Sequence, residues 1–217
     1  GVTVSEDGGN ANLIVQLNQA VRTGATVVLD VSHTAGTAAA GSDYTAPAST
    51  LTISVDGPVT SGTISVPIIN DNLVETAEQF SVGIGANSAN VTTAGYTSAT
   101  VTINVDEKYT IKFINATLEE PSGTPANMPF TVTVTPAVQA QHNGLTFKWR
   151  TYGGSAVSGN DFAYTTDQFT LATGDTTLGP ANVPVNPDTE DESAEYFYAG
   201  PISGGTLPVT VCNFVFA

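Results

Sequence analysis

Hydrophobic residues that recur at every second position constrain this chain more than any other feature. Leu13, Val15 and Leu17 share one face of the run LIVQL, and Val27, Leu29 and Val31 share one face of VVLDV. Leu51, Ile53 and Val55 follow, then Ile64, Val66 and Ile68, then Phe80, Val82 and Ile84, then Val101, Ile103 and Val105. Thr, Ser, Asn and Gln mostly fill the intervening positions, the pattern of strands with one face on a core and one in water. Gly, Pro, Asn and Asp punctuate the gaps, and no segment combines capping with a 3.6-residue period.

The second half repeats the order. Ile111 and Phe113 pair, followed by Phe130, Val132 and Val134, by Leu145, Phe147 and Trp149, by Phe169 and Leu171, by Val183 and Val185, and by the run VTVCNFVF. The stretch GTAAAGSDY at 36–44 returns as GSAVSGNDF at 154–162. A fixed internal period is the mark of repeated modules, and about seven short strands per hundred residues reads as two antiparallel sandwiches. The boundary falls near DEKY, giving domains 1–107 and 108–217, and the absence of a Gly/Ser spacer there predicts a restricted junction. Alternation places Trp149 in the core and Lys112 in water. No apolar run approaches the ~20 residues of a membrane helix, which predicts a soluble chain. No charged-then-apolar leader precedes Gly1, as expected of a mature or excised segment.

Acids outnumber bases 20 to 5, for a formal charge of −15. Such a field repels nucleic acid and anionic membranes and attracts cations. The single Cys212 excludes an internal disulfide and, within an apolar alternating run, is expected to pack as a small side chain. Catalysis is not expected. No His base stands beside a nucleophile, no Gly-rich phosphate cradle follows a strand, and a carboxylate pair for glycoside chemistry would need a cleft that a narrow sandwich tip rarely offers.

The acids of the first half are grouped by position. Glu6 opens SEDGG, Asp43 lies in the repeated loop, INDNLVETAEQF supplies Asp71, Glu75 and Glu78, and Asp106 and Glu107 end the last strand. Antiparallel crossings bring these segments to one end of a sandwich. Carboxylates gathered there call for a cation, and calcium, with six to eight oxygens at about 2.3–2.6 Å, suits them better than zinc, which would need the scarce His33, His142 and Cys212. The alternative for Asp43 and Asp161 is that each caps backbone amides of a tight crossover.

The ordered set SEDGG, GTAAAGSDY, INDNLVETAEQF and TINVDE resembles the Calx-β domain over residues 1–107, and more weakly over 108–217. The family includes calcium-sensing regulatory domains of sodium–calcium exchangers and repeats of extracellular adhesion and matrix proteins. The resemblance implies two tandem seven-stranded immunoglobulin-like sandwiches with calcium bound by loops at one end. It implies metal-ligand roles for Glu6, Asp43, Asp71, Glu75, Glu78, Asp106 and Glu107, although Asn70 and Asn72 replace family carboxylates and so weaken the attraction for the ion. In the second repeat Glu119, Glu120, Asp161, Asp188, Glu192 and Glu195 match, with Glu190 and Asp191 between. No acid stands there where Asp106 and Glu107 close the first, so a weaker metal cluster of Glu120, Asp161, Asp188, Glu192 and Glu195 is expected.

YTIKFINA precedes TLEEPSG, whereas only GVTVS precedes EDGG, so the first half of an opening strand has no counterpart in repeat one. An exposed edge there, with the apolar run at Phe214 and Phe216, suggests partners of the same kind: other copies or neighbouring repeats joined by strand addition. The alternative is that the strand simply lies outside this fragment. The expectation from sequence is an extracellular or cell-surface adhesive calcium-binding module that assembles head to tail into a filament. The alternatives are a calcium-sensing domain pair of a membrane transporter, or a carbohydrate-binding module using Trp149 and Tyr152.

Overall fold

The described residues form fourteen strands that fall into two units, Gly1–Asp106 and Glu107–Ala217. The computed structural model describes residues 1–54, 59–89, 91–93, 95, 97–189, 193–208, 210 and 212–216. Val55, expected beside Leu51 and Ile53, lies outside them, as do Glu190, Asp191 and Glu192.

Unit one comprises β1 (Val2–Ser5), β2 (Asn10–Val21), β3 (Thr26–Ala35), β4 (Thr50–Ser54), β5 (Val59–Pro67), β6 (Glu78–Ala86) and β7 (Ser98–Asn104). One sheet runs β1-β7-β6-β3-β4 and the other pairs β2 with β5. Leu13 and Val15 of β2, Leu29 of β3, Ile64 and Val66 of β5, Phe80 and Val82 of β6, and Val101 and Ile103 of β7 meet in the core. Alternation in sequence thus becomes burial, because a strand turns successive side chains to opposite faces.

Unit two comprises β8 (Tyr109–Phe113), β9 (Ala126–Thr135), β10 (Thr146–Gly153), β11 (Thr166–Thr170), β12 (Thr177–Val185), β13 (Phe197–Ile202) and β14 (Cys212–Phe216). Its sheets are β11-β10-β13 and β12-β9-β8-β14. Trp149 is 1% exposed and meets Phe130 edge to face at 4.8 Å, so it belongs to the core and offers no platform for a sugar. Lys112 faces water between buried Ile111 and Phe113. Burial pushes the Cys212 thiol up to about 11, which leaves it protonated at neutral pH.

Two pairings depart from the antiparallel pattern: β1 runs parallel to β7, and β14 runs parallel to β8. Seven strands that reverse direction in turn leave the first and last pointing the same way, so where these two meet they must be parallel. The units differ in where that happens. In unit one β7 stays beside β6, while in unit two β8 offers an edge that β14 takes. What β8 does for β9, no strand does for β2 among the described residues.

The repeated loop has a backbone reason for its composition. Gly36 and Gly154 each lie where a Cβ would stand 2.4 Å from a carbonyl oxygen, of Gln79 and of Tyr196. The close approach lets Ala38 N–H donate to Gln79 O and Ala156 N–H to Tyr196 O, both at 3.0 Å. Gly41 and Gly159 both have φ of +95°, the left-handed region glycine tolerates. The aromatic that ends each loop stacks on a strand further along the chain, Tyr44 on Phe80 of β6 at 3.8 Å and Phe162 on Phe197 of β13 at 4.3 Å. Replacing Gly36 or Gly154 by Ala should therefore lower stability by about 1–3 kcal/mol, since backbone must shift to admit the methyl. Ser42→Ala in the same loop should stay within about 0.5 kcal/mol. Urea unfolding midpoints of the three variants check this.

Candidate metal centre

The acids expected as ligands in the first half mostly follow the odd-numbered strands of unit one. Glu6 comes after β1, Asp43 after β3, Asp71 and Glu75 after β5, and Asp106 and Glu107 after β7, while Glu78 opens β6. Because consecutive strands reverse direction, all of these positions fall at the same tip.

Six of the seven expected carboxylates form two groups. Glu6, Asp106 and Glu107 each offer an oxygen within 4.8 Å of the others, and so do Asp43, Glu75 and Glu78. Glu6 is 5% exposed, on a single 3-10 turn between β1 and β2. Asp71 belongs to neither group. Its N–H donates to Glu6 Oε1 at 3.1 Å, and its own Oδ1 accepts from Leu73 N–H at 2.6 Å, so it shapes the loop that holds Glu6. Asp43 does both things considered for it. Its Oδ2 accepts from Ala39 N–H, closing the crossover, and it also stands within the second group.

The crowding shows in proton affinity. The Glu78 carboxyl is pushed up to about 7, first by burial, then by the charges of Asp43 and Glu75, by a side-chain hydrogen bond to Asp43, and by the charge of Glu6. The charge of Glu6, a member of the other group, is thus felt at Glu78. The donor set is entirely carboxylate, hard oxygen without sulfur or imidazole, and fits calcium. Two oxygens on one calcium at about 2.4 Å can be no more than about 4.8 Å apart, and the oxygens of each group lie within that limit. Glu6, Asp43, Glu75, Glu78, Asp106 and Glu107 would hold it.

In unit two the same framework is present without the same convergence. Glu120 Oε1 accepts from Asp188 N–H at 2.9 Å, the counterpart of Glu6 and Asp71. Asp161 Oδ2 accepts from Val157 N–H, the counterpart of Asp43 and Ala39. Glu120, Asp161, Asp188 and Glu195 line one cleft, while Glu192 lies outside the described residues. Among the described residues no three of these acids approach as closely as the groups of unit one. Sequence reasoning did not foresee the cleft, because Met128 joins it from β9 and only the folded chain brings that strand beside the acids.

The linkage has a definite sign. Between about pH 4.5, where an ordinary glutamate titrates, and about 7, the folded metal-free chain keeps a proton on Glu78 that the unfolded chain has lost. Folding binds a proton in that window, so stability contributed below pH 4.5 is lost as pH rises through 7. Thermal unfolding in chelator from pH 4.5 to 7.5 should show this fall, and Glu78→Gln should flatten it.

A family model for the Calx-beta domain matches residues 1–108 and, a second time, 105–200. No curated protein matches significantly. Among solved structures, a crystal structure of CBD12 from CALX1.2 is 17% identical, with a TM-score of 0.43, over 86% of this chain and 71% of that one. CBD12 of CALX1.1, described as a calcium binding domain, is 17% identical with a TM-score of 0.44, over 85% and 71%. The apo form of the Calx CBD1 domain is 26% identical with a TM-score of 0.40, over 49% and 90%. The expectation of an extracellular adhesive module building a filament is corrected here. The family matched over both halves is the Calx-beta domain, and that match supports the alternative of a calcium-sensing domain pair over an adhesive filament.

Proposed function

Because this chain belongs to the Calx-beta family in both of its halves, we propose that it acts as a calcium-responsive regulatory domain pair in which the tip of unit one binds the ion. The observation that carries this is the convergence of six carboxylates into two adjacent groups of three, one member of which holds its proton up to about pH 7. Like charges placed so closely resist full ionisation, and calcium is the hard, flexible cation that relieves them.

The role follows from the energetics. Without the ion, the loops after β1, β3, β5 and β7 repel one another at the tip. With calcium bound, the same carboxylates become its ligands and the loops are drawn together. A proton on Glu78 competes with the ion, since both neutralise the same charge. The description of CBD12 of CALX1.1 as a calcium binding domain supports this choice, as does the sequence resemblance to exchanger regulatory domains.

Calorimetric titration of calcium into the intact chain tests the proposal. Binding in the sensor range of about 10⁻⁷–10⁻⁵ M, with a change in small-angle scattering, is expected. Glu75→Gln and Asp106→Asn remove a charge from different groups, and each should weaken binding by about tenfold or more. Near pH 7 the heat should depend on the buffer because calcium displaces the Glu78 proton, and Glu78→Gln should abolish that dependence. Binding only at millimolar calcium, with a raised melting temperature and no other change, would overturn the sensor and leave a structural ion.

A further inference from the structure

The outer face of the sheet β11-β10-β13 differs in chemistry from the rest of the chain. Along β10, its middle strand, Lys148, Arg150 and Tyr152 alternate with buried Phe147, Trp149 and Thr151 and so point outward together. Tyr198 of β13 stands directly opposite Tyr152, and Tyr196 meets Tyr198 edge to face at 5.4 Å. Tyr164 joins the group through a side-chain hydrogen bond with Arg150. Tyr164, Tyr196 and Tyr198 are each more than half exposed. Two of the five bases of a chain with formal charge −15 thus share one face with four of its seven tyrosines. Tyrosine and arginine are the residues that concentrate at the centres of protein interfaces.

These side chains are ordered before any partner arrives. The Arg150 guanidinium lies over the Tyr152 ring at 4.6 Å, and the Tyr152 hydroxyl donates to Pro201 O at 3.3 Å. The Lys148 stem lies against Gly204. Tyr152 therefore uses its ring to hold a cation, where a sugar would need that face free. Lys148 and Arg150 are two residues apart on a strand, about 6.6 Å, and alternate side chains of any extended peptide repeat at the same distance. We propose that this face docks an extended acidic segment of a partner protein. Two alternate carboxylates of the segment meet Lys148 and Arg150, and an apolar side chain at the next alternate position lies against Tyr152 and Tyr198. Charge complementarity selects this occupant. A long polyanion would overlap the acidic remainder of the chain and be repelled, whereas a segment with few charges meets only the local patch, because salt screens beyond about 8 Å.

Amide NMR of the intact chain in chelator tests the proposal, with calcium binding by unit one thereby kept out of the readout. The probe is a capped hexapeptide in which glutamate and threonine alternate twice, followed by leucine and threonine. It is expected to bind at millimolar concentration, with shifts confined to residues 148–152, 164–168 and 196–202, and to weaken as salt is raised. The double variant Lys148→Gln, Arg150→Gln should weaken it about five- to tenfold, and Tyr198→Ser should weaken it as well. All three substitutions lie on the outer face, so melting temperatures should stay near the parent's. Arg22→Gln, which removes a base from unit one, should leave binding unchanged. The proposal is overturned if no shifts appear on this face at about 10 mM peptide, if the peptide with glutamine for glutamate binds equally, or if the double variant binds like the parent. Tighter binding of an oligothymidylate at the same residues would also overturn it, in favour of a nucleic-acid platform.

Discussion

Seven strands that reverse direction at each connection deliver the ends of the first, third, fifth and seventh to a single tip. Every acid that follows one of those strands is therefore brought near the others, however far apart they lie in the chain. Glu6 and Asp106 are separated by almost the whole of unit one, yet their carboxylates stand within 4.8 Å. At an effective dielectric constant near 20, two full charges at that distance repel by roughly 3 kcal/mol. A domain of marginal stability does not carry several such repulsions unrelieved. In the second group, the raised affinity of Glu78 for its proton is one way that such crowding is relieved.

The rest of the tip is arranged so that the acids can come together at all. Gly36 allows the loop after β3 to lie against the backbone of β6, and Tyr44 anchors it by stacking on Phe80 and by the hydrogen bond of its hydroxyl with His33 at 3.0 Å. Asp43 spends one oxygen on Ala39 N–H, which fixes the carboxylate before any ligand arrives. Asp71 does the same for Glu6 with its backbone. Ordering these groups in advance reduces what a bound ion must organise. Small residues, a capping acid and a packed aromatic are thus one device, and this is why the stretch occurs twice.

Much of this was legible in the chain itself. Alternation placed Leu13, Val66, Phe80 and Trp149 correctly inside, because side-chain direction in a strand depends only on position parity. The division of labour among the acids was not legible. Asp71 and Glu75 follow the same strand and carry the same charge, but Asp71 is turned to support Glu6 while Glu75 joins Asp43 and Glu78. Only the fold decides which carboxylates converge. The sheet joined by the last strand was equally hidden. Val101 and Ile103 alternate much as Phe214 and Phe216 do, yet β7 lies on β6 and β14 on β8. The deciding element is the edge of β8, and an edge is a tertiary feature.

The comparison between units also shows how much of one framework the two tips share. Glu120 with Asp188 and Asp161 with Val157 reproduce the supports of unit one, so the scaffold for a tip of acids is conserved within the chain. What differs is closure. In unit one Asp106 and Glu107 follow β7 and complete a group around Glu6. In unit two β14 runs parallel along β8. Among the described residues no two acids group with Glu120 as Asp106 and Glu107 do with Glu6. Glu120, Asp161, Asp188 and Glu195 line a cleft together with Leu118 and Met128. Among the described residues, the two tips therefore share their supports and differ in how closely their carboxylates gather.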